Sequence, residues 1–158
     1  MSDGEFTIRA GQAVADLPAD EWDALTDGAN PFMSHAFLSL LEESGSVGGR
    51  SGWQPLPIVA ETADGKLACA LPAYVKQHSQ GEYVFDHSWA DAFHRAGGDY
   101  YPKIQIAAPF TPATGPRILT RIPGLAVPML QAAEELCQGN GLSSVHATFI
   151  EDKQVALF

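Results

Sequence analysis

The dipeptide Asp64-Gly65 constrains the fold most, because it sits between the apolar run Ile58-Val59-Ala60-Glu61 and a return segment from Lys66 to about Lys76. Asp-Gly flanked by apolar and β-branched residues is a strong short-range signal for a two-residue hairpin with a type I′ turn. A chain of 158 residues with that hairpin near its middle has an antiparallel pair as the seed of its sheet. It is long enough for one core, not two.

Around the hairpin the remaining elements follow from periodicity and punctuation. Phe6-Thr7-Ile8-Arg9 reads as a short strand closed by Gly11, and Pro18 to Trp22 opens a helix, with acidic residues in its first turn, that Gly28 ends. After Asn30-Pro31, Ser34 is an N-cap for a helix from His35 to Glu43, and Ser44 to Gly52 reads as a loop leading through Trp53 into the hairpin. Asp86 to Arg95 fits a short helix ended by Gly97-Gly98. Lys103 to Ala107 is a strand and Pro109 to Pro116 a proline-broken loop. A helix from Leu125 to Cys137 follows, with Pro128 in its first turn, and then a strand from Ser144 to Ile150. The acidic start Glu151-Asp152 runs into the apolar Val155-Ala156-Leu157-Phe158, which reads as a cut helix. The order β-α-α-β-β-α-β-α-β-α is a mixed α/β pattern, in which the hairpin and the later strand-helix-strand unit share one sheet.

Charge excludes one class of partner. Nineteen Asp and Glu against nine Lys and Arg leave a net charge of −10, with the basic residues scattered from Arg9 to Lys153, so there is no broad face for nucleic acid. Cys69 and Cys137 have no CxxC neighbour and read as reduced core thiols. The start Met1-Ser2-Asp3-Gly4-Glu5 lacks an apolar signal region, and no run approaches the roughly 20 apolar residues of a membrane span, so the expected location is cytoplasmic.

The stretch from Tyr74 to Ala90 is densest in chemistry, holding Lys76, His78-Ser79, Glu82, Asp86 and His87-Ser88. Adjacent His-Ser pairs rarely point at one centre, and without a Gly-x-Ser-x-Gly elbow a serine hydrolase is disfavoured. His78, His87, Asp91 and His94 lack a closing ligand set, so no metal is expected. The plain alternative is that these polar groups cap the helix and satisfy buried backbone.

Six blocks recur together: Asn30-Pro31-Phe32, Phe37-Leu38 with Leu41 to Ser46, Gly52-Trp53-Gln54-Pro55, His78 to Ala90, Tyr100-Tyr101-Pro102-Lys103, and Pro109-Phe110-Thr111-Pro112 leading to Gly115-Pro116-Arg117. Their combination resembles the FemAB-like, GNAT-fold proteins of peptidoglycan biosynthesis or recognition. That resemblance implies a GNAT-like mixed sheet flanked by helices. Because family members look about twice this long, with two GNAT-like halves, it implies that residues 1–158 are one domain, the N-terminal half, lacking its C-terminal strands. It also implies acyl or aminoacyl transferase ancestry, with an acyl-CoA or aminoacyl donor held mainly by the second half and no cofactor in this one. GNAT enzymes hold the CoA pyrophosphate on backbone amides of a glycine-rich loop, and Pro109 to Arg117, with one Gly and three prolines, departs from that pattern.

Tyr100, Tyr101 and Phe110 with Lys103 and Arg117 fit a cleft for an anionic or sugar-bearing acceptor, or else core packing with snorkelling cations. Glu82 and Asp86 fit the orienting of an amine, and Lys76, His78 and Trp89 complete the substrate-binding set; no catalytic residue is assigned. The expected function is a FemAB-like N-terminal domain not catalytic by itself. Alternatives are a module binding a cell-wall precursor or a protein, and a free-standing N-acetyltransferase. An uncovered sheet edge near the end of the chain would be met by a second GNAT-like half or by self-association as a dimer.

Overall fold

The structure is a computed structural model that describes residues 5–84 and 86–158. Residues 1–4, read above as free of a secretory signal, and Phe85 of the polar stretch lie outside the described residues.

In chain order the elements are β1 (Phe6–Ala10), α1 (Ala19–Ala24), α2 (His35–Glu43), β2 (Trp53–Pro55), β3 (Ile58–Thr62), β4 (Leu67–Leu71) and β5 (Ala73–Lys76). They continue with α3 (His87–Arg95), β6 (Lys103–Ile106), β7 (Leu119–Thr120), α4 (Ala126–Gly139), β8 (Val145–Ala147) and α5 (Asp152–Val155). Short 3-10 turns precede α1, α2 and α4.

The hairpin is present, with a different turn. Only Gly65 takes a positive φ (+80°), Gly65 N donates to Thr62 O at 2.8 Å, and Thr62 N donates to Lys66 O at 2.9 Å. This is a three-residue loop with glycine in the left-handed position, in place of the two-residue I′ turn, where Asp64 would need a positive φ as well. Thr62 Oγ1 donates to Asp64 Oδ1 at 2.5 Å, which favours the three-residue loop.

Two four-stranded ladders result, β1-β3-β4-β7 and β2-β5-β6-β8. They are two halves of one long hairpin, because the chain passes from β2 to β3 through Leu56-Pro57 and from β4 to β5 through Pro72. A proline has no N–H for the ladder, so the sheet breaks there, and Leu56 N donating to Ala73 O at 2.9 Å is the stitch. On one side α4 lays Ala126, Met129, Ala133 and Cys137 against Ile58, Ala60, Cys69, Leu71, Ile104 and Ile106. On the other, Trp22 of α1 and Leu38 of α2 pack on Val59, Ala70 and Leu119, and Trp22 Nε1 donates to Met33 O at 2.9 Å. Ser34 caps α2 as expected, accepting from Phe37 N at 3.2 Å. Cys69 and Cys137 are free and buried.

The expectation that the C-terminal strands are lacking is corrected. β7 pairs with β4, and β8 runs parallel to β6 in the register Ile104↔Val145, Gln105↔His146, Ile106↔Ala147. The edge beside β6 is therefore covered, and the argument for a dimer from a missing end falls with it. The strand expected over residues 144–150 is shorter than its pattern, with only a bridge from Ile150 to Gly115 beyond it. The tail expected as a helix from residue 151 is one helical turn that ends at Val155, held by the Gln154 amide, which accepts from Arg117 N and Ile118 N and donates to Ile118 O.

Candidate functional site

The second ladder has one apolar face and one polar face, and both are buried. In Lys103-Ile104-Gln105-Ile106 the isoleucines point to α4, so the period of two sends Lys103 and Gln105 to the opposite side. Register places Trp53, Lys76 and Lys103 in one row and Tyr74, Gln105 and His146 in the next, so these side chains share that face. Lys76, Lys103 and Gln105 are each 0% exposed, which is exceptional for such residues without a function or a full set of partners.

Lys103 has three N–H donors and uses all of them. Its Nζ lies 3.1 Å from Glu82 Oε2, 3.0 Å from Asp86 Oδ2 and 3.3 Å from His146 Nδ1. Accepting at Nδ1 puts the neutral imidazole's proton on Nε2, which donates to Ser144 Oγ at 3.0 Å. Burial and the neighbouring Lys103 hold His146 below the usual histidine range. Tyr100 Oη donates to Asp86 Oδ2 at 3.0 Å and Tyr101 Oη to the same oxygen at 3.2 Å, while Ser79 Oγ lies 2.6 Å from Tyr101 Oη. Burial opposes charge on Asp86, but the donors Lys103, Ser79 and Tyr100 prevail and keep its carboxyl below the usual range. Burial, together with the bond to Asp86, pushes both phenols up, so they stay protonated.

Lys76 donates to Gln80 O at 2.5 Å, lies over the Trp53 ring at 4.0 Å and sits 3.9 Å from Glu82 Oε1. Burial pulls its ammonium down to about 8 despite that carboxylate, and burial pushes Glu82 up. A base whose folded pKa is depressed costs stability while it is charged, and the cost fades as pH rises from the folded value of about 8 towards the ordinary 10.5. Stability to urea should therefore gain on the order of 2 kcal/mol between about pH 8 and pH 10 relative to a Lys76→Met variant. Parallel pH profiles for the two proteins would contradict this.

Of the residues singled out in sequence, Lys76, Glu82, Asp86, Tyr100, Tyr101 and Lys103 meet in this cluster. Four do not. His78 fastens a loop, with Nε2 2.9 Å from Ser51 O and Nδ1 accepting from Gln80 N at 3.2 Å. Trp89 stands 74% exposed on α3, and Phe110 packs on Trp53 with ring centroids 5.4 Å apart. Arg117 is fully buried among carbonyls, donating to Thr148 O, Ala113 O and Pro116 O; burial lowers it to about 10. Ser79, weighed above only as half of a His-Ser pair, joins the cluster through Tyr101, and sequence reasoning missed three further residues, Gln105, His146 and Thr148. The last three continue the polar alternation across β6 and β8, and Gln105 Nε2 donates to Thr148 Oγ1 at 3.1 Å.

In front of the two tyrosines lies a pocket of about 250 Å³ lined by Ala90, Asp91, His94, Asp99, Tyr100 and Tyr101. Its acidic mouth suits a cation. The loop after β6, where a CoA pyrophosphate would be cradled, has Phe110 N on Gly81 O, Thr111 N on Ala108 O, Gly115 N on Phe149 O and Arg117 N on Gln154 Oε1, and among the described residues leaves Ala113 N and Thr114 N without a partner. Pro109, Pro112 and Pro116 carry no N–H, so this loop does not fit that group. Among the described residues no group of three or more His, Cys, Asp or Glu is placed to hold a metal, and no helix is long and apolar enough to cross a membrane.

The FemAB-like family, described as peptidoglycan biosynthesis/recognition, matches residues 13–158. The chain belongs to that family. The match takes in nearly the whole chain, so the reading of this FemAB-like domain as only the first of two halves, and as non-catalytic on that account, is corrected. No curated protein and no solved structure matches it.

Proposed function

We propose that this FemAB-like domain is an N-acyltransferase that moves an acyl group from an activated ester or thioester to a primary amine held in the pocket before Tyr100 and Tyr101. One observation carries the reading. Asp86 gathers the phenols of Tyr100 and Tyr101 and the Lys103 ammonium behind a pocket whose mouth carries Asp91 and Asp99. The two exposed carboxylates attract an ammonium.

The chemistry follows from where the hydrogens are. Each phenol spends its hydrogen on Asp86, so its oxygen can accept N–H from an entering amine. The bound ammonium first gives one proton to water at the open pocket mouth, which leaves a nitrogen lone pair free to attack the acyl carbonyl carbon. When the C–N bond forms, nitrogen becomes cationic and strongly acidic, so even a carboxylate of low pKa can take its proton through a phenol. The donor's leaving group departs with the bonding electrons. Lys103 keeps Asp86 charged until that moment and balances it electrostatically. The family's description, peptidoglycan biosynthesis/recognition, supports a cell-wall precursor as acceptor, and its stem-peptide amine is the acceptor class of this reading. The expected self-association and location are independent of this step.

A short peptide with one free lysine ε-amine, its α-amine acetylated, tests the acceptor side. Titration should shift the amide resonances of His94, Tyr100 and Tyr101, and Asp91→Asn with Asp99→Asn should weaken binding on the order of tenfold, the loss expected from removing about 1.4 kcal/mol of charge attraction. Equal binding of the same peptide with its ε-amine acetylated would overturn the assignment. A second reading, binding without transfer, is favoured by Trp89, whose 74% exposure offers a flat surface to a sugar face. It predicts saturable binding and no new amide.

A further inference from the structure

A second interaction surface lies at the other end of the sheet and rests on observations independent of acyl transfer. Strand β1 closes the ladder β1-β3-β4-β7, and among the described residues nothing pairs with its outer side. Gly11 N donates to Pro57 O at 3.2 Å, and the register runs on through Arg9↔Val59 and Thr7↔Glu61. By the alternation of antiparallel ladders, the N–H and C=O groups turned outward are those of Phe6, Ile8 and Ala10. Ile8 is 36% exposed and faces a groove of about 720 Å³ between β1 and α4, walled by Pro128, Ala132 and Leu136.

The sequence of the edge is complementary to itself. In Glu5-Phe6-Thr7-Ile8-Arg9 the apolar pair lies on the α4 face, while Glu5 and Arg9, whose guanidinium also holds Glu61 of its own chain, stand at opposite ends of the other face. We infer that β1 pairs antiparallel with β1 of a second copy of this chain about a twofold axis through Thr7. In that register Glu5 stands opposite the partner's Arg9, Phe6 opposite the partner's Ile8, and each contact is made twice. The outward N–H and C=O groups of Phe6 and Ile8 then bond to their counterparts as hydrogen-bonded pairs, and Thr7 meets its mate as a non-hydrogen-bonded pair. A register centred on Ile8 would set Thr7 against the partner's Arg9 and leave Glu5 unmatched. The axis places both α4 helices on one face, so the two grooves join into a single trough, apolar at Ile8, Pro128, Ala132 and Leu136 and polar at Gln131, Glu135 and Asn140, which adds the area that a five-residue ladder alone would lack. The charge of −10 opposes this only at long range, where physiological salt screens it.

Sedimentation equilibrium at micromolar concentration in physiological salt should give twice the 16.9 kDa of one chain. Ile8→Asp should give a monomer with unchanged circular dichroism. Under mild oxidation Thr7→Cys should crosslink on the order of tenfold or more faster than Ala10→Cys, because the dimer holds only position 7 against its own copy at disulfide distance. The crosslinking pair decides the matter if Ile8→Asp fails to fold. A monomer throughout, a dimer untouched by Ile8→Asp, or equal crosslinking at the two positions would overturn the inference.

Discussion

Replacing Lys103 by Met should cost about 3–5 kcal/mol of stability, the loss typical of removing one partner from a buried ionic cluster. The side chain of Lys103 is 0% exposed, as is that of Glu82, and the side chain of Asp86 only 9%. Methionine fills much of the same volume, so packing changes little, and the cost is that of two carboxylates left among apolar walls and aromatic rings. Neutralising them tests that origin. The triple variant Lys103→Met, Glu82→Gln, Asp86→Asn should regain most of the loss, because uncharged groups bear burial far better than unpaired ions. Urea or guanidinium midpoints measure both. A loss below about 1 kcal/mol for Lys103→Met, the range of a surface ion pair, would mean the cluster is wet and open.

Gly52→Ala should be nearly as damaging, for a steric reason. Gly52 has φ = +73°, and a Cβ there would lie 2.0 Å from His78 Nε2. The left-handed backbone alone costs about 1–2 kcal/mol for alanine. Displacing His78 also breaks its bonds to Ser51 O and Gln80 N, each worth about 1 kcal/mol, for a total near 3 kcal/mol. Gln80 is the residue whose carbonyl receives both Lys76 Nζ and Trp53 Nε1, so the disturbance reaches the polar face. Adding His78→Ala should cost little more, because the alanine Cβ has already displaced the ring and broken its bonds. A fluorescence-monitored melt in which His78→Ala destabilises the Gly52→Ala protein as much as it does the unaltered one would contradict the clash.

These two sites also show where local sequence stops informing. The hairpin, the Ser34-capped helix and the strand at Lys103 were legible because their signals are local: a turn glycine, a capping hydroxyl and a period of two. Strands β2 and β7 were not, since three and two residues carry no periodicity and form only because β5 and β4 offer partners. The C-terminal strands were illegible for the same reason, and the segment after them is anchored over a distance in sequence, by Gln154 acting as a strand partner to Arg117 and Ile118. In the site, Asp86, Tyr100, Tyr101 and Lys103 could be named from their block, whereas His146 reaches Lys103 only through the parallel register of β6 and β8, 43 positions away in the chain. The alternation Lys103-Gln105 beside His146-Thr148 was the available signal, since polar residues occupied one whole face of strands whose other face is core. His78 misled because it stands in the same block, yet its ring serves a loop.

The central claim is that the Asp86-centred face transfers an acyl group to an amine, and product formation tests it most directly. The full chain is incubated with a lysine-bearing stem peptide and, in separate reactions, with acetyl-CoA and with an aminoacyl ester, and new amide is followed by mass spectrometry. The account predicts amide with at least one donor, and a rate lower by on the order of 10² or more in Asp86→Asn, whose fold is verified by circular dichroism and which loses the carboxylate that orients both phenols and takes the proton. Absence of amide with both donors, or an Asp86→Asn rate equal to that of the unaltered protein, would contradict it.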